Sequence, residues 1–195
     1  MQTTVSIVVF DDVEVLDFCG PFEAFSVAGV REGTKPFSVS LVAEGSGVVT
    51  ARNGLRVLPD HTLADAPRSD IVVVPGGPGA RPASHSAALA DWLRARSDAG
   101  ATILSVCTGA LILGRAGLLD GMAVTTHHGA LDELRAVAPN AVVDPSRRYH
   151  VHERMVVAAS VASGIDGALE LVARTCGVPV AEGTATYMEY PWQRA

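Results

Sequence analysis

Short runs of apolar, often β-branched residues alternate along most of the chain with longer stretches that have helical spacing. Such runs predict strands. We expect them at Val5–Phe10, Phe37–Ala43, Ile71–Val74, Ala101–Val106, around Val124 and at Met155–Ala158. Two of these, Ile71–Val74 and Ala101–Val106, are almost wholly apolar, which is typical of strands that are buried on both faces of a parallel sheet.

The stretches between these runs predict helices. They are a helix opening near Gly20–Pro21, Ala87–Asp98, a helix from just after Cys107 to about Gly117, about Ala130–Val137, and Gly164–Cys176, with Gly177 and then Pro179 ending the last one. Asn53-Gly54 between two apolar segments predicts a tight hairpin. Strands separated by helices indicate an α/β fold with a doubly wound, mostly parallel sheet and helices on both faces. We interpret residues 1–195 as a single domain.

Composition and charge exclude several classes of protein. The 195 residues are 48% hydrophobic and 18% charged, which is typical of a globular chain. A net charge of −6 argues against nucleic-acid binding by this chain alone, because that binding needs basic surfaces. No apolar run approaches the length of a membrane span, and the N-terminal residues lack a signal-peptide pattern, so we expect a cytoplasmic protein.

The cysteines are Cys19, Cys107 and Cys176, and no pair of them has the spacing of a zinc or redox motif. We therefore predict free thiols in a reducing compartment and no metal site. Cys19 and Cys176 lie within helical stretches and are expected in the core. His150 and His152 alternate along one predicted strand, but two histidines without a third ligand are weak evidence for a metal.

Cys107 is the strongest candidate for chemistry. It closes an apolar strand, and Thr108-Gly109-Ala110 opens a helix directly after it, which is the strand-to-helix turn of a nucleophile elbow. A helix N-terminus is expected to lower the pKa of this thiol from about 8.5 into the range of about 3.5–7.5. The alternative is a small buried hydrophobic residue, which is the commoner fate of a free cysteine.

A glycine-rich loop, Pro75–Gly79, follows the neighbouring apolar strand. In doubly wound sheets, ligands bind outside the carboxyl ends of the strands, so this loop is expected near Cys107. Glycines let backbone N–H groups face a ligand closely, and the N–H groups of Gly77 and Thr108 are candidates for an oxyanion hole. The alternative is an ordinary tight turn.

Asp17 and His127 are candidate acid–base groups. Asp17 lies in an apolar context after the first strand, where burial would raise its pKa and suit it to exchange a proton with Cys107. An acid that caps a helix N-terminus is the alternative. His127 and His128 follow the short strand at Val124, and either could pair with Cys107, although exposed or core histidines are more usual.

These segments together resemble the ThiJ/PfpI superfamily, whose flavodoxin-like fold is similar to that of class I glutamine amidotransferases. The resemblance rests on Val15–Ala24, Val73–Gly79, Ser105–Leu113, Ala116–Gly121 with Thr125–His127, and Ala162–Val172. Asp17 and Thr108 indicate the isonitrile hydratase-like branch, which also includes the N-terminal domains of many AraC-type transcription regulators. In that branch the residues that match Asp17, Cys107 and Thr108 are the functional ones.

The resemblance implies an enzyme that adds water to an isonitrile through a cysteine thioimidate, with a small-molecule substrate, no cofactor and a homodimeric assembly. Gly76, Gly77 and His127 are then expected to bind or orient the substrate. A stand-alone ligand sensor and another cysteine-dependent hydrolase or deglycase are the alternatives. His128 replaces a tryptophan that is common in the branch, and residues 150–160 also depart from its pattern, which leaves the substrate open.

Overall fold

The computed structural model describes residues 2–194. Its strands are β1 Thr3–Val8, β2 Phe37–Ala43, β3 Val49–Thr50, β4 Arg56–Val57, β5 His61–Thr62, β6 Ile71–Val74, β7 Thr102–Val106, β8 Ala123–Val124, β9 Val142–Val143, β10 Tyr149–Val151 and β11 Met155–Ala158. Its α-helices are α1 Val15–Ser26, α2 Ala80–Ala83, α3 Ala87–Asp98, α4 Gly109–Arg115, α5 Leu131–Val137, α6 Ser163–Cys176 and α7 Val178–Tyr187.

The central sheet has seven strands in the order β10-β11-β7-β6-β1-β2-β5. Only the β10–β11 pairing at one edge is antiparallel, and every other pairing within this sheet is parallel. The doubly wound, mostly parallel α/β fold expected from the hydrophobic pattern is confirmed. The chain order around β1, β6 and β7 brings the carboxyl ends of three neighbouring strands to one edge of the sheet, where ligands bind in such folds.

Helices cover both faces of the sheet. Successive residues of a strand point to opposite faces, so neighbouring residues pack into two different cores. Ile7 of β1 packs into the core that contains Phe25 of α1 and Leu169 of α6. The next residue, Val8, packs into the other core, which contains Leu93 of α3 and residues of α4 and α5. Both faces of β6 and most of β7 are therefore buried, as their apolar sequences predict.

The first helix begins at Val15, several residues before the Gly20–Pro21 start expected from the sequence. Proline usually marks the first turn of a helix, but Pro21 lies inside α1, where its missing N–H leaves the carbonyl of Asp17 without the usual helical donor. Close packing explains why the helix continues, since a Cβ at Gly20 would lie 2.8 Å from Ile165 Cγ1 of α6. Asp17 is consequently a helical residue.

Helix α7 was not predicted. Gly177, with φ of 92°, ends α6, and Pro179 was interpreted as a stop beyond it. The same Pro179 occupies the first turn of a new helix, which is the position where proline is tolerated. The predicted hairpin is confirmed: β3 and β4 pair antiparallel across a turn in which Asn53 has φ of 63°. The strand at Val124 pairs with β9, outside the central sheet.

Across residues 2–194, the structure contains no helix that combines the length and the apolar character needed to cross a membrane.

Gly109 tests how closely α4 approaches β6. A Cβ at this position would lie 2.1 Å from the backbone oxygen of Val74, which cannot move without breaking the sheet. We expect Gly109→Ala to lower the free energy of unfolding by about 3 kcal/mol, measured by urea denaturation. Gly45→Ala is the matched control, since nothing lies within 4 Å of its Cβ position, and its effect should stay within about 0.5 kcal/mol. Equal effects of the two substitutions would contradict the packing described.

Candidate active site

Cys107 occupies a sharp turn directly between β7 and α4. Its backbone is left-handed, with φ of 56°, a conformation that costs a non-glycine residue about 1–3 kcal/mol and persists only where the surroundings hold it. Two hydrogen bonds hold it here: the Cys107 N–H donates to Ala158 O at 3.0 Å, and Thr126 Oγ1 donates to Cys107 O at 2.8 Å. The side chain is 5% exposed and reaches a surface cleft.

The carboxyl group of Asp17 lies beneath this turn. Asp17 belongs to the first turn of α1, its side chain is fully buried, and its Oδ2 accepts a hydrogen bond of 2.9 Å from Gly76 N–H. Oδ1 has no hydrogen-bond partner within geometric limits among the described residues. Asp17 is thus not the helix cap considered from the sequence, since the capping position belongs to Glu14. Its carboxyl joins α1 to the glycine-rich loop instead.

Burial dominates the electrostatics of Asp17. Loss of hydration raises its pKa from the ordinary 3.8 to about 7, against the opposing effect of the Gly76 hydrogen bond. The negative charge of Glu14 raises the pKa further, while the Cys107 thiol lowers it slightly. A carboxyl group with this pKa gains or loses its proton near neutral pH, which is the property predicted for a general acid–base group.

The Cys107 thiol is protonated at neutral pH. Burial, and next the charge of Asp17, raise its pKa from the ordinary 9.0 to about 12, and hydrogen bonds from Thr108 offset only part of this rise. The lowered thiol pKa expected from the helix N-terminus is therefore wrong, because desolvation and a neighbouring carboxylate both disfavour the thiolate. The negative charge of a carboxylate at Asp17 disfavours a thiolate at Cys107, and the reverse also holds. The two groups therefore compete for a shared proton.

The glycine-rich loop lies beside Cys107, but its N–H groups are already engaged. Gly77 N–H donates to Thr108 Oγ1 at 2.9 Å, and the same hydroxyl donates to Gly77 O at 3.1 Å. Gly76 N–H binds Asp17, as described above. The oxyanion donor expected at Gly77 is therefore not free in this structure. The Thr108 N–H forms a hydrogen bond with the Cys107 sulfur, and this bond lowers the pKa of the thiol.

The glycines have a second role, which is to permit close approach. A Cβ at Gly76 would lie 2.5 Å from Thr108 N and 3.0 Å from Asp17 Oδ2. Gly77 has φ of 112°, and a Cβ there would lie 2.4 Å from Glu14 N. Any larger residue at either position would separate the three segments that form the site.

The cleft above Cys107 encloses about 190 Å³. Its lining residues are Glu14, Arg52, Gly77, Pro78, Arg81, Cys107, Thr108, His127, Gly129, Ala130 and Val161. The structure thus brings together the predicted Cys107, Thr108, Gly77 and His127, with Asp17 and Gly76 immediately beneath. The charged residues Glu14, Arg52 and Arg81 were missed: Arg81 lies in the short helix α2, the other two lie in connecting segments, and none belongs to a recognisable motif.

Of the two adjacent histidines, His127 lines the cleft, whereas His128 is exposed and is not among the lining residues. Their rings lie 4.1 Å apart between centroids. Burial, and next the neighbouring His128, lower the pKa of His127, which favours a neutral ring. His127 Nδ1 accepts a hydrogen bond of 3.2 Å from Gly129 N–H, so Nε2 is the ring nitrogen left for a ligand.

The remaining candidates lie away from the cleft. His150 and His152 bind the backbone oxygens of Asp144 and Ala123 at 2.9 and 2.8 Å, which ties β10 to the small β8–β9 sheet. Among residues 2–194, no cluster of His, Cys, Asp and Glu side chains is suited to hold a metal ion. Cys19 and Cys176 are half-buried and pack against the core, as expected.

A larger cavity of about 270 Å³ lies between the end of β1 and helices α2 and α3. Val8, Phe10 and Leu89 contribute to its mainly apolar wall, and none of the candidate catalytic residues reaches it. We place the functional site in the smaller cleft, because that cleft contains the strained cysteine and lies over the buried carboxyl group.

Known proteins resemble this chain along most of its length. A profile of the DJ-1/PfpI family matches residues 3–174. The chain is 32% identical to the isonitrile hydratase of Pseudomonas putida over 190 residues, which cover 97% of this chain and 79% of that enzyme. It is 31% identical to the HTH-type transcriptional regulator CdhR of Pseudomonas aeruginosa over 170 residues, which cover 80% of this chain but only 49% of the regulator.

Solved structures show the same fold. A ThiJ/PfpI family protein from Pseudomonas syringae superimposes with a TM-score of 0.87 and 28% identity, covering 98% of this chain and 76% of the other. Drosophila melanogaster DJ-1beta superimposes with a TM-score of 0.86 and 19% identity, covering 98% of this chain and 100% of the other. The second comparison supports the fold alone.

The raised pKa of Asp17 predicts a measurable cost to folding. The unfolded carboxyl loses its proton near pH 4 and the folded one near pH 7, so the unfolded state is favoured increasingly as pH rises between these values. Relative to the wild type, the Asp17→Asn variant should gain about 2 kcal/mol of unfolding free energy between pH 5 and pH 8, measured by urea denaturation.

Asp98→Asn, at the exposed end of α3, is the control and should show no such pH-dependent gain. A difference between the Asp17→Asn variant and the wild type that stays constant with pH would show that Asp17 ionises normally in the folded state.

Proposed function

The chain belongs to the DJ-1/PfpI family, and we propose that it is a cysteine-dependent hydratase that converts an isonitrile and water to an N-substituted formamide. The observation that carries the proposal is that the buried Asp17 carboxyl group interacts with the thiol of Cys107, which also accepts a hydrogen bond from Thr108 N–H. The 32% identity to an isonitrile hydratase across 97% of the chain supports the same reaction class.

In the first step the sulfur of Cys107 bonds to the terminal carbon of the isonitrile. The thiol proton passes to the Asp17 carboxylate and from there to the same carbon, whose lone pair accepts it. The product is a thioimidate in which carbon is joined to sulfur, hydrogen and a doubly bonded nitrogen. Because the thiol is neutral, the proton that the carbon needs is already present in the site.

In the second step water adds across the carbon–nitrogen double bond, with its oxygen on carbon and a proton on nitrogen. The carbon–sulfur bond then breaks as the new hydroxyl loses its proton, which returns to sulfur through Asp17. This releases the formamide and regenerates the thiol. A pKa of about 7 suits Asp17 to both transfers, because a group works best as acid and base when its pKa is near the working pH.

Thr108 and His127 have supporting roles in this scheme. Thr108 N–H stabilises negative charge on sulfur as the carbon–sulfur bond forms and breaks; its lowering of the pKa of the Cys107 thiol supports this role. His127 Nε2 at the wall of the cleft orients the attacking water. No step of this scheme draws on a metal or an organic cofactor, and we expect the active form to be a homodimer.

A ligand sensor is the second candidate, because the transcriptional regulator CdhR aligns with 80% of this chain. An AraC family regulator from Pseudomonas putida superimposes with a TM-score of 0.84 and 22% identity, and this chain covers only about half the length of the regulator CdhR. A sensor would bind its ligand in the Cys107 cleft without turnover. A hydrolase or deglycase is less favoured, since Thr108 replaces the histidine that such relatives often carry after the cysteine.

Formamide production from a panel of small isonitriles tests the proposal. We expect turnover by the wild type, its loss in Cys107→Ala, and a decrease of roughly 10²–10⁴-fold in Asp17→Asn, which removes acid–base catalysis. Cys176→Ala is the matched control: this half-buried thiol does not line the cleft, so turnover should stay within about twofold of the wild type.

Substantial turnover by Cys107→Ala would show that Cys107 is not the nucleophile. Absence of turnover in the wild type, combined with saturable binding of the same isonitriles to Cys107→Ala, would favour the sensor.

A further inference from the structure

We propose that the substrate carries a compact negative group such as a carboxylate, and that Arg52 and Arg81 bind this group at the mouth of the Cys107 cleft. The inference rests on the proposed function for the reacting end of the substrate. The anion site itself depends only on the cleft.

The charged side chains that line the cleft are Arg52, Arg81 and Glu14. Each arginine is paired with one carboxylate, Arg52 with Glu14 and Arg81 with Glu133, so each positive charge is already balanced by a negative one. What the two arginines offer a ligand is therefore guanidinium N–H donors rather than an excess of positive charge. In a protein with a net charge of −6, two arginines at one cleft are groups on which a small anion can bind.

Arg52 is held in place but keeps donors for a ligand. Its backbone N–H donates to Val13 O at 2.9 Å, and its Nη1 binds Glu14 Oε2 at 2.6 Å. Within residues 2–194, its Nε and Nη2 have no hydrogen-bond partner. The side chain is 51% exposed, so these donors are open to the solvent that a ligand would replace.

Arg81 is held by a different carboxylate. Its Nε and Nη2 both donate to Glu133 Oε2, at 3.0 and 2.7 Å, which leaves Nη1 without a partner in the described part of the chain. Glu133 does not line the cleft, so its charge fixes Arg81 from outside the binding space. Each arginine thus keeps at least one guanidinium nitrogen free of partners among residues 2–194, and the planar guanidinium group is suited to binding a carboxylate.

The two arginines act on the same region of the cleft. Both line the same cleft as His127, and the positive charge of each lowers the pKa of that histidine, after the larger effects of burial and of His128. The cleft has a volume of about 190 Å³, and a short electrophile with one carboxylate suits such a space.

Alkylation of Cys107 by iodoacetate and by iodoacetamide tests the anion site without any isonitrile. The two reagents have nearly the same shape and react identically, with sulfur displacing iodide, but only iodoacetate is charged. Their rate ratio at each cysteine, read by peptide mass spectrometry, cancels differences in thiol ionisation. Cys19 and Cys176 in the same sample are internal references.

We expect the iodoacetate-to-iodoacetamide ratio at Cys107 to exceed that at Cys19 and Cys176 by roughly three- to tenfold, and to fall with added salt. Arg52→Met and Arg81→Met should each lower the ratio towards that of the reference cysteines, and Arg81→Lys should restore part of it. Arg94→Met is the control, because Arg94 pairs with Asp91 on α3, does not line the cleft and should leave the ratio unchanged.

Binding of propionate and propionamide, measured by NMR titration of the wild type and the same variants, gives a readout independent of thiol reactivity. We expect propionate to bind more tightly, and the preference to disappear in Arg52→Met and Arg81→Met. Equal binding of propionate and propionamide by the wild type would overturn the inference. An iodoacetate-to-iodoacetamide rate ratio at Cys107 equal to that at Cys19 would also overturn it. If this preference is present but isonitriles are not converted, the anion site stands and the proposed reaction fails.

Discussion

The burial of the Asp17 carboxyl group beside the Cys107 thiol is the constraint on which the rest of the site depends. Burial raises both pKa values, because neither group can ionise cheaply away from water and each disfavours the charge of the other. The pair therefore keeps a proton at neutral pH. A chemistry that must deliver a proton to carbon as sulfur attacks suits this pair, whereas a chemistry that needs a preformed thiolate does not.

The fold supports this pair by bringing three chain segments unusually close. Glycines at 76, 77 and 109 allow the loop after β6 to contact both α1 and the Cys107 turn, with hypothetical Cβ atoms 2.1–2.5 Å from backbone atoms. The left-handed backbone of Cys107 is held by hydrogen bonds from neighbouring elements. Arg52, in the turn between β3 and β4, and Arg81, in α2, line the cleft but are not part of this close-packed centre.

Hydrophobic periodicity predicted the sheet, most helices and the Cys107 turn, because those features depend on local patterns of burial. It failed where long-range packing decided the outcome: α1 continues through Pro21 because Gly20 packs on α6, and α7 begins at a proline that looked like a stop. The pKa of Cys107 was predicted in the wrong direction: burial of the thiol, and next the charge of the Asp17 carboxylate, raise it, and neither effect follows from the position of Cys107 at a helix N-terminus. The hydrogen bonds from the Gly76 and Gly77 N–H groups to Asp17 and Thr108 likewise could not be predicted from the sequence, because they join segments far apart along the chain.

The most direct test of this account is a pH titration of the ionisation states of both groups. The carboxyl signal of Asp17 can be assigned by ¹³C NMR from its absence in Asp17→Asn, and the thiolate of Cys107 by ultraviolet absorbance that is absent in Cys107→Ala. The account predicts an Asp17 carboxyl that titrates near pH 7 and a Cys107 thiol that stays protonated until well above its ordinary pKa of 9.0. A thiolate at pH 7 beside an Asp17 carboxyl that titrates near pH 4 would contradict it.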